Sequence, residues 1–260
     1  MKKSLLHGIA TACLSIGLIA AAHAQTSTTE VALSEDQVET LPRQIRVQVE
    51  FIDVSHEQFT ELMFGPKPPA SDGELRQQVA QLIKDGKATV METLLCTTRS
   101  GQKATTESVE ELIYPTEFEP AKLPNNIHVK DEEAAEKAKV NVRDLATGPT
   151  PTAFETRNVG STLEIEPTLS SDHKTIDLRL VPEIVYHVSN EVWAEWKGEH
   201  GNSPVQMPTF YALSLNTAIT LTEGHFMLAA ALSPKSKEGI PDFTRKLMLF
   251  VKADVVATGR

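Results

Sequence analysis

The sequence is poor in the residue types on which most enzyme chemistry and most nucleic-acid binding depend. Only 2 of its 260 residues are cysteine, Cys13 and Cys96, and only 5% are aromatic, with 2 tryptophans and 3 tyrosines. Cys13 lies inside the apolar run that opens the chain. Removal of that run leaves Cys96 alone, which excludes an internal disulfide or a thiolate metal site. Basic residues number 25 against 35 acidic ones, a net charge of −10, which is the wrong sign for neutralising phosphates. There is no H-E-x-x-H, no EF-hand loop, no G-x-S-x-G, no G-x-G-x-x-G and no phosphate loop. No apolar run after the first is long enough to form a membrane-spanning helix. These absences point to a chain that is not an enzyme, with no catalytic residue, metal or cofactor to assign and no nucleic-acid partner.

What is present begins with an export signal. Lys2 and Lys3 precede an apolar run from Leu5 to Ala22 that closes on Ala22-His23-Ala24, which reads as a signal peptide over residues 1–24 with cleavage before Gln25. Apolar residues continue well past Cys13, so that cysteine reads as part of the run rather than as a lipid-attachment site. The protein is therefore expected to be exported, to the periplasm or to the outer membrane and cell surface. "QTSTTEVALSEDQVETLPR", residues 25–43, is polar and acidic with little periodicity, as expected of a flexible leader. Residues 44–260 then read as one domain.

That domain is dominated by residues alternating with a period of two. Ile45, Val47, Val49 and Phe51 alternate with polar neighbours and make a strand. Ser55 with Gln58, and Ser71 with Glu74, are capping-box patterns that predict short helices near 55–63 and 72–85. Residues 88–98 and 103–114 flank "RSGQ" and read as a hairpin. A mobile insert is expected near 115–152, because "YPTEFEPAKLP" is proline-rich, "KDEEAAEKAKVNVRDL" is charged with few apolar residues, and "ATGPTPTAF" reads as a stiff linker. "NVGSTLEIEPTLSSDHKTIDLRLVPEI", residues 158–184, reads as two alternating strands about the turn "SSDH". Tyr211 to Leu221 reads as one further strand, Phe226 to Leu232 as the next after "TEGH", and Leu247 to Val255 as the last. Many long strands with helices only near the beginning predict a mainly β protein of the α+β class, either an antiparallel meander or an immunoglobulin-like β-sandwich.

The candidate functional residues are few. Glu164 and Glu166 share one strand face, where an exposed polar face is the plainer account than a catalytic pair. His173, His187, His200 and His225 fall in or beside turns and strand ends and read as solvated. Cys96 sits in an alternating strand and reads as a small core residue. The segment "SNEVWAEWKGEHGNSPVQMP", residues 189–208, holds both tryptophans and reads as a long loop between strong strands, a setting that favours function. Trp193 and Trp196, with Tyr186 and Tyr211 on the flanking strands, are the expected partner-binding residues. A protein partner or a second copy of the chain fits them, and a glycan stacked on Trp193, as in a surface adhesin, is an alternative.

The order of strands resembles the C-terminal β-domain of secretins, the ring-forming outer-membrane channels of type II and type III secretion and of type IV pili. The resemblance lies first in "FETRNVGSTLEIEPTLSSDHKTIDLRLVPEI", where a glycine precedes an alternating strand, a proline follows and a turn leads to a second alternating strand. "IRVQVEFIDVSHEQF" is similar to the strand-to-helix entry, "TTRSGQKATTESVEELIYPTEF" to a short-turn hairpin ending in Tyr-Pro, "NTAITLTEGHFMLAAAL" to paired strands about an acidic-Gly turn, and "RKLMLFVKADVV" to the closing strand. Of the proline-rich segment that secretins place before that strand, this sequence keeps Ile240-Pro241. The resemblance implies a non-enzymatic structural or assembly component of an envelope complex, working with protein partners or as a homo-oligomer. A channel subunit is the alternative it implies, and membrane association stays open.

Overall fold

A computed structural model describes residues 43–123, 146–198, 201–236 and 239–256, all within the unit Thr40–Arg260. The expected signal peptide, most of the leader, "KDEEAAEKAKVNVRDL" and His200 lie outside the described residues. The described chain is mainly antiparallel β with two helices. In order it forms β1 (Gln44–Ser55), α1 (His56–Phe64), α2 (Asp72–Lys84), β2 (Ala88–Arg99), β3 (Ala104–Glu119), β4 (Thr150–Leu169), β5 (Thr175–Gly198), β6 (Gly201–Ser214), β7 (Thr217–Thr222), β8 (Phe226–Leu232) and β9 (Arg245–Val256). Two sheets result, one ordered β2-β1-β9-β8 and one ordered β3-β4-β5-β6 with β7 also paired to β5.

Alternation decides what each face meets. Ile45, Val47, Val49 and Phe51 of β1, with Leu247, Leu249, Val251 and Ala253 of β9, pack in one core with Leu163, Ile165, Ile176, Leu178, Leu180 and Leu221 of the second sheet. The opposite residues, Ile52, Val54, Met248 and Phe250, meet Leu75 and Val79 of α2 in a second core. The first sheet is thus covered on both sides over part of its length, which is why β9 reads as a nearly unbroken apolar run. Both helices start where the capping boxes place them, with Ser55 Oγ accepting from Gln58 N and Ser71 Oγ from Glu74 N. On the helical side Glu50 is buried, and Arg76 of α2 reaches it at 2.6 Å while its guanidinium lies over Phe226 and Phe250. Asp53 is likewise buried and paired with Arg245.

Two expected hairpins are absent. β2 and β3 do not pair; β2 joins β1 and β3 joins β4, so the turn between them carries the chain from one sheet to the other. That turn is held by the second sheet, since Gly101 N donates to Pro167 O at 2.8 Å and Leu169 N to Ser100 Oγ at 2.9 Å. The acidic-Gly turn between β7 and β8 is a second crossover. Glu223 N donates to Lys174 O in one sheet and Gly224 N to Ala253 O in the other. The single strand expected over 211–221 is two, β6 and β7, both along β5. The break at Leu215-Asn216 lies opposite Pro182, which has no N–H to offer a continuous ladder, and whose carbonyl instead accepts from Leu215 N.

The expected mobile insert near 115–152 is largely strand where it is described. β3 continues through Pro115 to Glu119 and β4 begins at Thr150, with register shifts after Pro115 absorbing the proline. Lys122 and Thr147 form a bridge just beyond. The hairpin expected over residues 158–184 forms between β4 and β5, pairing Gly160 with Val185 through to Leu169 with Ile176, and its turn bonds internally through Ser170 and Asp172.

Gly160 is the first residue of β4 to pair with β5. Its φ is +134°, and a Cβ there would lie 2.2 Å from Ser108 O of β3. Gly160→Ala is therefore expected to destabilise the fold by at least about 2 kcal/mol, read as a lower urea midpoint. Arg76→Ala strands the Glu50 carboxylate in the helix-facing core and should cost about 3 kcal/mol by the same measurement. A variant unchanged in midpoint would show that the pair does not anchor α2.

Candidate functional site

Beyond Gly160 the second sheet divides. β3 and the first half of β4 continue as one two-stranded hairpin, and the second half of β5 with β6 continues as another. At roughly 3.3 Å per residue, the 24 residues of β5 reach about 80 Å, far more than the core beneath them requires. The buried core ends at Ile184 and Leu213. The described residues of 189–208, expected as a loop, are thus β-structure, the paired end of β5 and β6 reaching Gly198 and Gly201. They escape recognition as strand because Pro204 and Pro208 interrupt the pattern. Both fall on an edge strand, where a missing N–H is tolerated.

The two hairpins lie against each other. Tyr114 of β3 and Phe210 of β6 approach to 5.6 Å between ring centroids, and the His187 ring is 6.0 Å from Phe210. A cleft of about 370 Å³ runs between them, lined by Tyr114, Pro115, Phe118, Pro151, Pro204 and Pro208 among others. His187, expected near a strand end, is inside β5, with Nε2 at 2.9 Å from Asn190 Oδ1. None of these seam contacts is signalled by spacing, because residues 114 and 210 meet only after the fold brings separate hairpins together.

The structure separates the four expected partner-binding residues into two places. Trp196 lies over Gly198 and beside Gly148, positions where added Cβ atoms would sit 2.2 Å and 3.4 Å from its ring, so it pins the hairpin tip. Trp193 falls at a register shift between Val192 and Ala194, has no residue opposite it, and is 73% exposed. A bulge of this kind re-aims the side chain away from the ladder. Tyr186 and Tyr211 are directly opposite each other, stacked at 6.3 Å, and lie roughly 20 Å along β5 from Trp193. Burial pushes the phenols of both up, with Glu92 adding to the effect on Tyr186. Sequence spacing did not reveal the exposed Ile113 and Phe154 on the other hairpin, 66% and 58% accessible.

The remaining candidates occupy structural positions. Glu164 pairs with Lys103 at 2.7 Å, and Glu166 stands opposite Arg179, on the outward face of the sheet. Cys96 is buried in the inter-sheet core, and burial pushes its thiol up, away from the reactive thiolate. His173 and His225 lie in the two turns, His173 with a φ of +59°. Among the described residues no group of three or more His, Cys, Asp or Glu could hold a metal ion. No described helix is long and apolar enough to cross a membrane.

Solved structures similar to this chain are those of secretins. The chain resembles them in structure. The type III secretion injectisome secretin InvG of Salmonella matches over 86% of this chain and 67% of its own, at 9% identity and a TM-score of 0.42. The type II secretin GspD of enteropathogenic Escherichia coli matches over 86% and 72%, at 12% and 0.41. ExeD of Aeromonas hydrophila matches over 86% and 50%, at 10% and 0.40. No family profile and no curated protein matches the sequence.

The two tryptophans are expected to behave differently. Trp193→Ala should leave stability within about 0.5 kcal/mol of the parent. Trp196→Ala should speed amide hydrogen exchange across 189–208 by loosening the tip it pins. Equal protection in the two variants would mean that Trp196 contributes no more than a surface side chain.

Proposed function

We propose that this chain is a non-enzymatic, exported structural component of an envelope assembly of the secretion or type IV pilus kind, and that it joins other copies of itself through its distal hairpins. The observation that carries the reading is the division of the second sheet at Gly160. Past that point β4 has no neighbour on its β5 side and β5 none on its β4 side, so each hairpin presents free edges among the described residues. A two-stranded ribbon is marginal alone, and a long open edge is a template for another strand. The edges are not equivalent. β3 carries Glu107, Glu110, Glu111, Glu117 and Glu119 with no base, β6 has two prolines, and the inward edge of β5 from Tyr186 to Gly198 has no proline and sets Lys197 against Glu191 and Glu195. The alternating strand patterns about Gly160 and the export signal support the same reading.

A ring-forming outer-membrane channel subunit is the second reading, favoured by one observation. The apolar residues most exposed on strands, Ile113, Phe154, Val192 and Trp193, are on the distal hairpins. Near the base the outward face of the same sheet carries Glu164, Glu166, Asp177 and Arg179, which suit water or a lumen rather than lipid.

Native mass and envelope fractionation, with and without detergent and heat, test both. A soluble oligomer that Trp193→Lys breaks into monomers supports the structural component, because an edge lysine opposes strand pairing. A large, heat-resistant, detergent-dependent ring supports the channel. A monomer at every concentration, from extracts as well as after purification, overturns assembly between copies.

A further inference from the structure

A second cavity, of about 480 Å³, adjoins the hairpin seam at His187, where β5 and β6 leave the core and the segment after β8 passes over them. Met91, Val188, Leu213 and Pro234 give it an apolar lining, and Tyr186 and Tyr211 stand side by side in its wall. Its volume is that of a small-molecule site, mostly apolar with a few convergent polar groups. Of the polar groups that line it, Lys235 and the two phenols can donate. The Lys235 ammonium stands 4.8 Å from the centre of the Tyr211 ring, and no carboxylate of a described residue lies within ion-pair distance of it. Tyr211 donates weakly to Ser233 O at 3.5 Å, and Tyr186 donates to no described residue. Both phenols are pushed up by burial and so keep their protons at neutral pH.

The nearest carboxylate that acts on the pair is Glu92, which acts on Tyr186, and one of its oxygens is engaged by Thr93 N at 2.9 Å. His187 lines the same cavity with Nε2 already facing Asn190. A ligand that satisfies this arrangement has an apolar, preferably planar body to lie along the tyrosines and a single anionic acceptor for the ammonium and the free phenol. A cationic head would meet Lys235 in a poorly hydrated place, which is costly.

We propose that this cavity binds a small apolar carboxylate, with Lys235 and Tyr186 holding the carboxylate and the Tyr186–Tyr211 pair, Met91, Val188 and Leu213 holding the body. The proposal stands apart from assembly through the distal ends of the hairpins, since Tyr186, Val188 and Tyr211 lie within a few residues of Gly160's level and the lining involves neither Trp193 nor Phe154. A free acid and the C-terminal residue of a polypeptide both carry this chemistry.

The test is calorimetric titration of the purified protein with 4-phenylbutanoate, its primary amide, and a tripeptide ending in phenylalanine with a free carboxylate. Saturable binding of the acid, weakened about tenfold in the amide and in Lys235→Ala and largely kept in Lys235→Arg, is the expected result. Tyr186→Phe removes only the hydroxyl and should weaken the acid more than the amide, which a packing defect would not do. Tighter binding of the tripeptide than of phenylbutanoate assigns the carboxylate to a chain terminus, and the reverse assigns it to a free acid. Circular dichroism of each variant checks that the fold is kept. Absence of saturable binding by either acid, or equal binding of acid and amide in folded protein, overturns the proposal. Binding indifferent to Lys235→Ala does so as well.

Discussion

The absence of a side chain at residue 160 is the constraint on which the rest of the architecture turns. β4 must cross close over β3 at this point, with the Ser108 carbonyl where a Cβ would be, and it must do so at a φ of +134°. Only glycine meets both conditions without strain. Everything before the pivot on β4 belongs to a two-stranded ribbon, and everything after it belongs to a sheet whose inner face is buried. The same residue therefore separates the part of the chain that is stabilised by its own core from the part that must look elsewhere for neighbours.

The base is over-determined in a way the ribbons are not. Its first sheet is packed on both faces, and the two acids buried on β1, Glu50 and Asp53, each have an arginine partner. Buried pairs of this kind contribute little net stability against an apolar alternative, but an unpaired partner is penalised heavily, so they fix which way α2 and the start of β9 sit. Residues 189–198 of β5, by contrast, are almost wholly exposed, and their order rests on the ladder to β6, the Trp196 contact and the seam at Tyr114 and Phe210. Such segments open locally at low cost.

Much of this was legible in the sequence, and the failures have physical causes. Alternation located nearly every strand and told correctly which residues of β1, β4, β5 and β9 face the core. It could not tell which strand pairs with which, because period two encodes a face and not a neighbour. "RSGQ" and "TEGH" have the composition of hairpin turns, yet their backbone groups bond to strands of both sheets and so become crossovers. Proline misled in both directions. Pro115, Pro151, Pro204 and Pro208 made ribbon strands look like loops, while Pro182 divided what looked like one strand. The four residues of the candidate site divide: Trp193 is exposed, Trp196 supports the tip, and Tyr186 with Tyr211 forms a separate place. The seam between the ribbons joins residues about a hundred positions apart, and nothing local in either segment marks it.

The division at Gly160 also limits what a partner can change. Free edges on ribbons that borrow little from the core can be paired, twisted or re-registered by another chain while the inter-sheet cluster from Ile45 to Ala253 keeps its contacts. The reverse does not hold, since loosening that cluster would release the start of both ribbons at once, through Leu163 on β4 and Ile184 on β5. Assembly is then expected to act on the ribbons last and at modest energetic cost, with main-chain bonds replacing water on edges that already have strand geometry. The unequal chemistry of those edges gives such pairing a direction. An acidic β3 repels a second β3, a proline-bearing β6 is short of donors, and the proline-free inward edge of β5 becomes accessible only where β4 has turned away at Gly160.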